Sequence, residues 1–287
     1  MKKLAIAIIL VSYLASCGIT TPKYLYAPNS PNTLVVQSKK DVLFQTSYAS
    51  TRHQQQSGAF RQNSTGVDVK AAFGITNHIA IKLDGYQKWE RDRAGGPQTE
   101  LSSFNINYKR NGAQISGGYY GFIDNKKAST INVFTGFGIG RNQFSGKYRN
   151  TLVANNFFKA NTTKWFITPS INLAVHKNYV IVLGTKYTLL RFNNIQTNDE
   201  ELQQGIYTQI DKKNSAFLDL FMDHQFGFKD LNGVKFHAML GTTNLTTTFN
   251  NTQPITNTNF ENTNQYLYNN AYLSFGLIAD IRLVFKK

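Results

Sequence analysis

Few residues in this chain of 287 could take part in acid–base chemistry. Five histidines are present, and only His237 lies on the polar face of a predicted strand with carboxylates nearby. Acyl transfer would require a nucleophile held against such a histidine and carboxylate. A narrow polar interior must, however, pair every charge that it buries. We therefore predict no catalytic residues and a structural ion network, comprising Asp219, Asp223, Lys235, His237, Asp280 and Arg282.

Basic residues are the second set of candidates, because 31 Lys and Arg outnumber 16 Asp and Glu and give a net charge of +15. They are scattered along the chain, and no motif concentrates them as in a nucleic-acid-binding protein. Phosphate groups of lipids are the anions that we expect them to meet. Predicted loops carry the candidates for contact with lipid or with a partner, namely Arg52, Arg61, Arg141, Lys147 and Arg149. No His, Cys, Asp or Glu spacing indicates a metal site.

The N-terminus reads MKKLAIAIILVSYLASC, with two lysines, an apolar run and then small residues. This pattern is typical of a secretory signal peptide and is too short to span a bilayer. The stretch Leu14-Ala15-Ser16-Cys17-Gly18 resembles the lipobox of bacterial lipoproteins. The resemblance implies a signal peptide of residues 1–16 and a lipidated Cys17 that carries diacylglycerol and an N-acyl chain. Two or three chains make a stable anchor; we predict no other cofactor.

Residues 17–40 are polar and contain Pro22, Pro28 and Pro31, which is typical of an extended segment. We predict that this segment is a lipidated tether between the bilayer and a folded domain of residues 41–287.

Alternation of apolar and polar residues dominates that domain. Every odd position from Ala271 to Phe285 is apolar, and the same two-residue period occurs at 67–73, 79–83, 131–139, 165–175, 179–189, 216–228 and 234–240. The opposite face is rich in Gly, Ser, Thr and Asn, as expected for the lumen of a membrane barrel rather than for a solvent-facing sheet. We therefore predict that the apolar face contacts lipid.

The spacing of turns predicts an all-β, antiparallel, up-and-down transmembrane barrel of about ten strands. Short connections at 75–77, 124–129, 176–178 and 229–233 alternate with long ones at 51–65, 90–97, 143–163, 193–213 and 246–270. Short turns are periplasmic in such barrels, so both barrel termini are expected on that side.

Two sequence features complicate the strand count. Asn111-Gly112 is a hairpin signal that would raise the number to twelve; otherwise a long strand from 98 to 122 changes face at a bulge near Gly112. Pro169 predicts a bulge or distortion, since a closed barrel has no edge strand to accommodate proline.

Several stretches follow the lipobox in a recognisable order: Tyr26-Ala27-Pro28-Asn29, Asp41-Val42-Leu43-Phe44, Phe73 to Ala80, Gly117 to Tyr120, Phe134 to Gly140 and Phe166 to Ile171. In this order they resemble a group of uncharacterised Bacteroidota outer-membrane β-barrel lipoproteins. The resemblance implies an outer-membrane location in a Gram-negative bacterium and maps the lipidated cysteine to Cys17. It implies no activity.

Three functions are compatible with these features. The first is a non-enzymatic accessory or structural subunit of an outer-membrane assembly for export, insertion or uptake, with outer-membrane lipids and other outer-membrane proteins as partners and the long loops as contact surface. The second is a small-solute pore, although ten strands leave a lumen that side chains nearly fill. The third is a lipid-tethered soluble barrel that binds a hydrophobic ligand inside. Nucleic acid is not an expected partner.

Overall fold

The computed structural model describes residues 29–54, 60–94, 104–125, 128–148, 156–176, 178–198, 214–228, 231, 233–245 and 271–284. This part of the chain folds into ten strands, namely β1 (Val42–Gln54), β2 (Phe60–Gly74), β3 (Ile79–Ala94), β4 (Phe104–Phe122), β5 (Thr130–Tyr148), β6 (Asn156–His176), β7 (Tyr179–Thr197), β8 (Ser215–Gly227), β9 (Val234–Leu245) and β10 (Ala271–Asp280). One helical turn, α1 (Ile281–Val284), follows β10. Across the described ranges, no helix is long and apolar enough to cross a membrane.

The strands form one closed, antiparallel barrel. Each strand pairs with the next along the chain, and β1 pairs with β10, with Leu43 opposite Asp280. The predicted fold and the predicted ten strands are therefore confirmed. Closure leaves no unpaired edge, so the ladder satisfies the backbone polar groups of the wall, as a membrane-spanning sheet requires.

The apolar face of the barrel points outward. Val69, Ile139, Trp165 and Leu277 are 54, 55, 64 and 49% exposed, whereas polar side chains such as Ser274 are buried inside. A soluble barrel with an apolar core requires the opposite arrangement. The outward band is the surface that a bilayer covers in outer-membrane barrels.

The two ends of the barrel differ. At the short-turn end lie the connections 75–78, 123–129, 177–178 and 228–233, together with the start of β1 and the end of β10. The opposite ends of the strands form the other end of the barrel, which we call the long-loop end after the long connections predicted there. Strands β4 to β7, which we call the tall wall, have 19 to 21 residues each, whereas β8 to β10 have 10 to 13. A tilted crossing needs only about 9–11 residues, so the tall wall continues well past the apolar band.

Asn111-Gly112 forms no hairpin, and β4 continues straight through it. Gly112 pairs with Tyr86 on one side and with Gly140 on the other, in unbroken register. A Cβ at Gly112 would lie 2.5 Å from both the Tyr86 hydroxyl and the Ile139 carbonyl oxygen. The glycine is therefore needed for close packing of Tyr86, not for a turn. The predicted bulge is also wrong, because side chains alternate without a change of face along the described part of β4.

Apolar residues lie on both faces of β4, and this explains why its sequence suggests a change of face near Gly112. Tyr108 points inward near the long-loop end, and its ring contacts that of Phe144. Tyr108 is therefore luminal, while Ile115 and Tyr119 further along the strand face outward.

The register across Pro169 does not shift. Pairing of β6 with β7 passes from Ile167 opposite Tyr187 to Ser170 opposite Gly184, with no paired residue between. Pro169 itself lies opposite Val133 of β5. The missing N–H therefore interrupts the ladder locally without the predicted bulge. The bulges of this strand pair lie instead at 159–161 and 174–176.

Candidate functional site: the occupied lumen

Residues 29–36 lie inside the barrel. Asn29, Ser30, Thr33, Leu34 and Val36 are each at most 2% exposed. The signal peptide and Cys17 lie outside the described residues, but this C-terminal part of the predicted tether does not bridge bilayer and barrel. We call residues 29–36 the luminal segment. It runs from the short-turn end to Asn29, at the level of Tyr86 in the middle of the wall.

Lysines from three strands hold the backbone and side chains of the luminal segment. Lys70 of β2 donates to the Ser30 hydroxyl at 2.6 Å and to the Pro31 carbonyl at 2.9 Å. Lys82 of β3 donates to the Asn32 carbonyl at 3.1 Å, and Lys164 of β6 donates to Asn29 Oδ1 at 3.0 Å. β2 and β3 are neighbours, whereas β6 lies three strands further around the barrel, so the segment joins separate parts of the wall.

Carboxylates on the wall accept hydrogen bonds from the same segment. Ser30 donates to Asp68, and Asn32 donates to Asp84 at 2.5 Å. On the far side, Thr33 donates to Asp223 Oδ2 at 2.6 Å. Buried charges are stable only when they are paired or hydrogen-bonded, and here the segment supplies part of that bonding.

Apolar side chains of the segment seal the short-turn end. Leu34 and Val36 pack into a cluster with Leu43, Ala72, Ala80, Tyr120, Phe134 and Ile278. Val35 packs on the other side, against Val180, Val182, Phe221, Met239 and Tyr272. The segment is therefore held by hydrophobic contacts as well as by hydrogen bonds.

An aromatic layer lies beyond the segment, toward the long-loop end. Phe144 stacks on Phe158 with 5.1 Å between ring centroids, and Phe192 contacts Phe158 edge-on. Tyr108 completes the layer, and all four rings are at most 5% exposed. On β4 the sequence signal for this layer is Tyr108, a luminal aromatic residue whose place in the sequence also fits a hairpin or a bulge at Asn111-Gly112.

The structure brings together two members of the predicted ion network. His237 Nδ1 lies 3.1 Å from Asp223 Oδ1, and the other ring nitrogen lies 3.0 Å from Gln45 Nε2. Asp219 is also buried but accepts instead from Thr243 at 2.5 Å. The predicted network is thus divided, with its core around Asp223.

The other predicted members lie at the short-turn end. Arg282 on α1 pairs with Asp41 and, at 3.0 Å, with Asp280, and its side chain is 37% exposed rather than luminal. The hydrogen bond to Asp280, followed by the charge of Asp41, raises the pKa of Arg282. Lys235, which is half-buried, interacts electrostatically with Asp280 and Asp41. The strand ends at Asp280, so the apolar period of the sequence continues into the helical turn α1 and not into a longer strand.

The predicted loop cations are mostly on strands. Arg141 is exposed on the outer face of β5. Arg52, Arg61 and Lys147 lie on β1, β2 and β5, in parts of which only the backbone is described. Arg149 lies outside the described residues. The strands are longer than predicted because polar residues continue the ladder beyond the apolar band.

Little chemistry is available to the buried network. Both nitrogens of His237 are engaged, so neither is open to take a proton from a nucleophile. The cavity beside Asn32, Asp84 and Lys186 leaves about 10 Å³ that the centre of a water molecule can reach, room for about one water. Within the described ranges, no group of three His, Cys, Asp or Glu could hold a metal ion.

The barrel is similar to solved outer-membrane proteins. The transport unit of the autotransporter AIDA-I from Escherichia coli is 8% identical, and the match covers 86% of this chain and 93% of that chain with a TM-score of 0.50. The translocator domain of the autotransporter NalP from Neisseria meningitidis is 12% identical, with coverage of 83% and 87% and a TM-score of 0.45. The outer membrane protease OmpT from Escherichia coli is 8% identical, with coverage of 86% and 96% and a TM-score of 0.43.

No protein-family model and no curated protein matches the chain. At such low identities the likeness shows the fold alone, and the fold is that of the outer-membrane β-barrels of Gram-negative bacteria.

Proposed function

We propose that this protein is a non-enzymatic outer-membrane β-barrel lipoprotein that serves as a structural or accessory subunit of an outer-membrane protein assembly for export, insertion or uptake. The observation that carries the proposal is the occupied lumen. Residues 29–36 fill it from the short-turn end to its middle, and the aromatic layer lies beyond them.

The occupied lumen argues against a small-solute pore. An aqueous channel needs free polar surface inside the wall. Here the inward groups Lys70, Lys82, Asp84 and Asp223 bond to the luminal segment. The barrel therefore offers a solute neither a continuous path nor exposed luminal charges in its described part.

The lipid anchor argues for a partner. A closed barrel is retained in a bilayer by its outward apolar band, so retention does not require acyl chains on Cys17. We propose that the acyl chains route the protein to its membrane or fix its N-terminus against a neighbouring protein. We propose that the barrel lies in the outer membrane with its short-turn end and both barrel termini in the periplasm, as the resemblance to the Bacteroidota lipoprotein group implies.

Crosslinking in intact cells tests the proposal. The full chain is tagged, crosslinked with a reversible reagent, extracted in mild detergent and resolved on a native gel before mass spectrometry. We expect another outer-membrane protein at near-equal amount in the same band, and a smaller yield of that band for Cys17→Ala. A chain that migrates alone before and after crosslinking would contradict a subunit role.

A further inference from the structure

A band of cations lies on the outer face of the barrel, just beyond the apolar band toward the long-loop end. Its members are Arg91, Lys109, Arg141, Lys159 and Arg191, on β3 to β7, and all face outward. Among the described side chains of these strands, no carboxylate faces outward, since Asp84 and Glu90 are luminal. Among the described side chains of the remaining strands, no lysine or arginine faces outward. The described outward cations therefore lie on five consecutive strands.

Three of these cations surround one amide. Gln143 lies opposite Lys109 on one neighbouring strand and opposite Lys159 on the other, and Arg141 is the next outward residue on the same strand. In the amide orientation that satisfies its hydrogen bonding, Gln143 accepts from Arg141 Nε at 2.6 Å. Diagonal neighbours on a sheet are about 7–8 Å apart at Cβ, so side chains of this length can converge on one anion.

A β-bulge makes the surface beside these cations concave. The register of β6 with β7 passes from Lys159 opposite Gln196 to Asn161 opposite Asn193, which leaves an extra residue on β7. Asn194 in the bulge has a φ of 53°, a left-handed conformation that non-glycine residues adopt infrequently. The result is an open cleft of about 510 Å³ lined by Arg141, Lys159, Asn161, Asn194, Ile195 and Gln196. Bulges of this kind commonly re-aim side chains at a site.

The wall below the cleft is apolar. Trp165 is six residues from Lys159 on the same strand and 64% exposed, with Ile139 and Leu189 on the adjacent strands. Closer to the cations, the outward-facing Trp89 and Ile139 lie two residues before Arg91 and Arg141 on their strands, roughly 7 Å away at about 3.3 Å per residue. Aromatic residues mark the level of lipid headgroups in membrane barrels. A ligand with acyl chains on this wall would therefore place its headgroup at the cations.

We infer that the cleft on the tall wall binds the phosphate group of a phosphorylated lipid of the outer leaflet, with Arg141, Lys159 and Lys109 as the phosphate ligands and Asn161 and Gln196 as amide donors. A guanidinium matches a phosphate with two parallel hydrogen bonds, and lysine adds a mobile point charge. The inference rests on the proposed outer-membrane placement, but not on a protein partner.

Binding to the purified full chain in a neutral detergent tests the inference. The probes are lipid A carrying its phosphates, the same lipid after enzymatic dephosphorylation, and inorganic pyrophosphate. Native mass spectrometry gives the affinity of each for the wild type, for Arg141→Gln/Lys159→Gln and for the control Lys39→Gln/Lys40→Gln. The control removes the same charge from exposed positions at the short-turn end, and heat-modifiable migration on gels checks the folding of both variants.

We expect the wild type and the control to bind phosphorylated lipid A at least about tenfold more tightly than the dephosphorylated lipid, because each charge-assisted hydrogen bond contributes about that factor. The double variant loses this preference. Equal affinity of the wild type for both lipids, or an equal loss in the control, would overturn the inference. Pyrophosphate binding as tight as that of the lipid would assign the cleft to a free anion and overturn the lipid assignment. None of these outcomes bears on the crosslinking experiment, so the two proposals fail separately.

Discussion

At the scale of single residues, side-chain direction decides what each position does. The alternation in the sequence correctly separated lipid-facing residues such as Leu277 from luminal ones such as His237. It also placed Asp223 near His237, because both lie inward on neighbouring strands. It could not show that Thr33 completes the bonding of Asp223, since 190 residues separate them in the chain.

Gly112 illustrates a signal with two physical origins. Asn-Gly favours a two-residue hairpin because both residues tolerate positive φ. A glycine is equally required where another side chain crosses the backbone, and at Gly112 that side chain is Tyr86. Only the register of three adjacent strands distinguishes the two causes.

Replacing Gly112 with alanine tests this assignment. The new methyl group would lie 2.5 Å from the Tyr86 hydroxyl and from a backbone oxygen, so we expect Gly112→Ala to lower the free energy of unfolding by about 1–3 kcal/mol. Gly117→Ala on the same strand is the control, because no atom lies within 4 Å of its added methyl. Urea unfolding in lipid vesicles, followed by tryptophan fluorescence, measures both. Equal stabilities for the two variants would contradict the packing role of Tyr86.

At the scale of elements, the strands and the luminal segment differ in how far the sequence predicts them. Eight of the ten strands show a two-residue period in the sequence, and the alternation of short and long connections predicts ten strands, although Asn111-Gly112 left twelve open. Strand lengths were underestimated because the ladder continues through polar residues past the apolar band, as at Arg141 on β5.

The luminal segment has no such period. Asn29-Ser30-Pro31-Asn32 has the composition of a turn or linker, and composition does not distinguish an exposed linker from a buried one. Its location depends on partners from β2, β3, β6 and β8, which become neighbours only when the barrel closes. Tertiary contacts therefore determine where this segment lies, because its local sequence fits both an exposed and a buried position.

Removing the luminal segment should change conductance. In a chain lacking residues 29–36, Lys70, Lys82 and Lys164 lose their bonds to the luminal segment, although Lys164 keeps the Tyr86 hydroxyl, and water should enter the space. We expect discrete, anion-selective current steps in planar bilayers where the wild type shows none. Lys39→Gln/Lys40→Gln, in the exposed link to β1, should remain silent like the wild type. A silent deletion variant that is folded by gel migration would show that the segment does not determine conductance.

At the scale of the whole molecule, the fold separates three surfaces. An apolar band surrounds the barrel, a paired ionic network lies within it, and the described outward cations lie on one side beyond the band. The net charge of +15 indicates an anionic environment, but only the barrel shows that the described outward cations lie on consecutive strands. These cations are far apart in the sequence and become neighbours only because consecutive strands pair in the barrel.

The most direct test of the account is whether the N-terminal segment occupies the lumen of the folded barrel in cells. The side-chain oxygens of Thr33 and Asp223 are 2.6 Å apart, so Thr33→Cys/Asp223→Cys should form an intramolecular disulfide in intact membranes under mild oxidation. In the control, Thr33→Cys/His224→Cys, the second cysteine is on the next residue of the same strand and points out of the barrel. We predict a redox-sensitive shift in gel mobility for the first pair and none for the second. No shift in the first pair, or an equal shift in both, would contradict the central claim that the chain fills its own lumen.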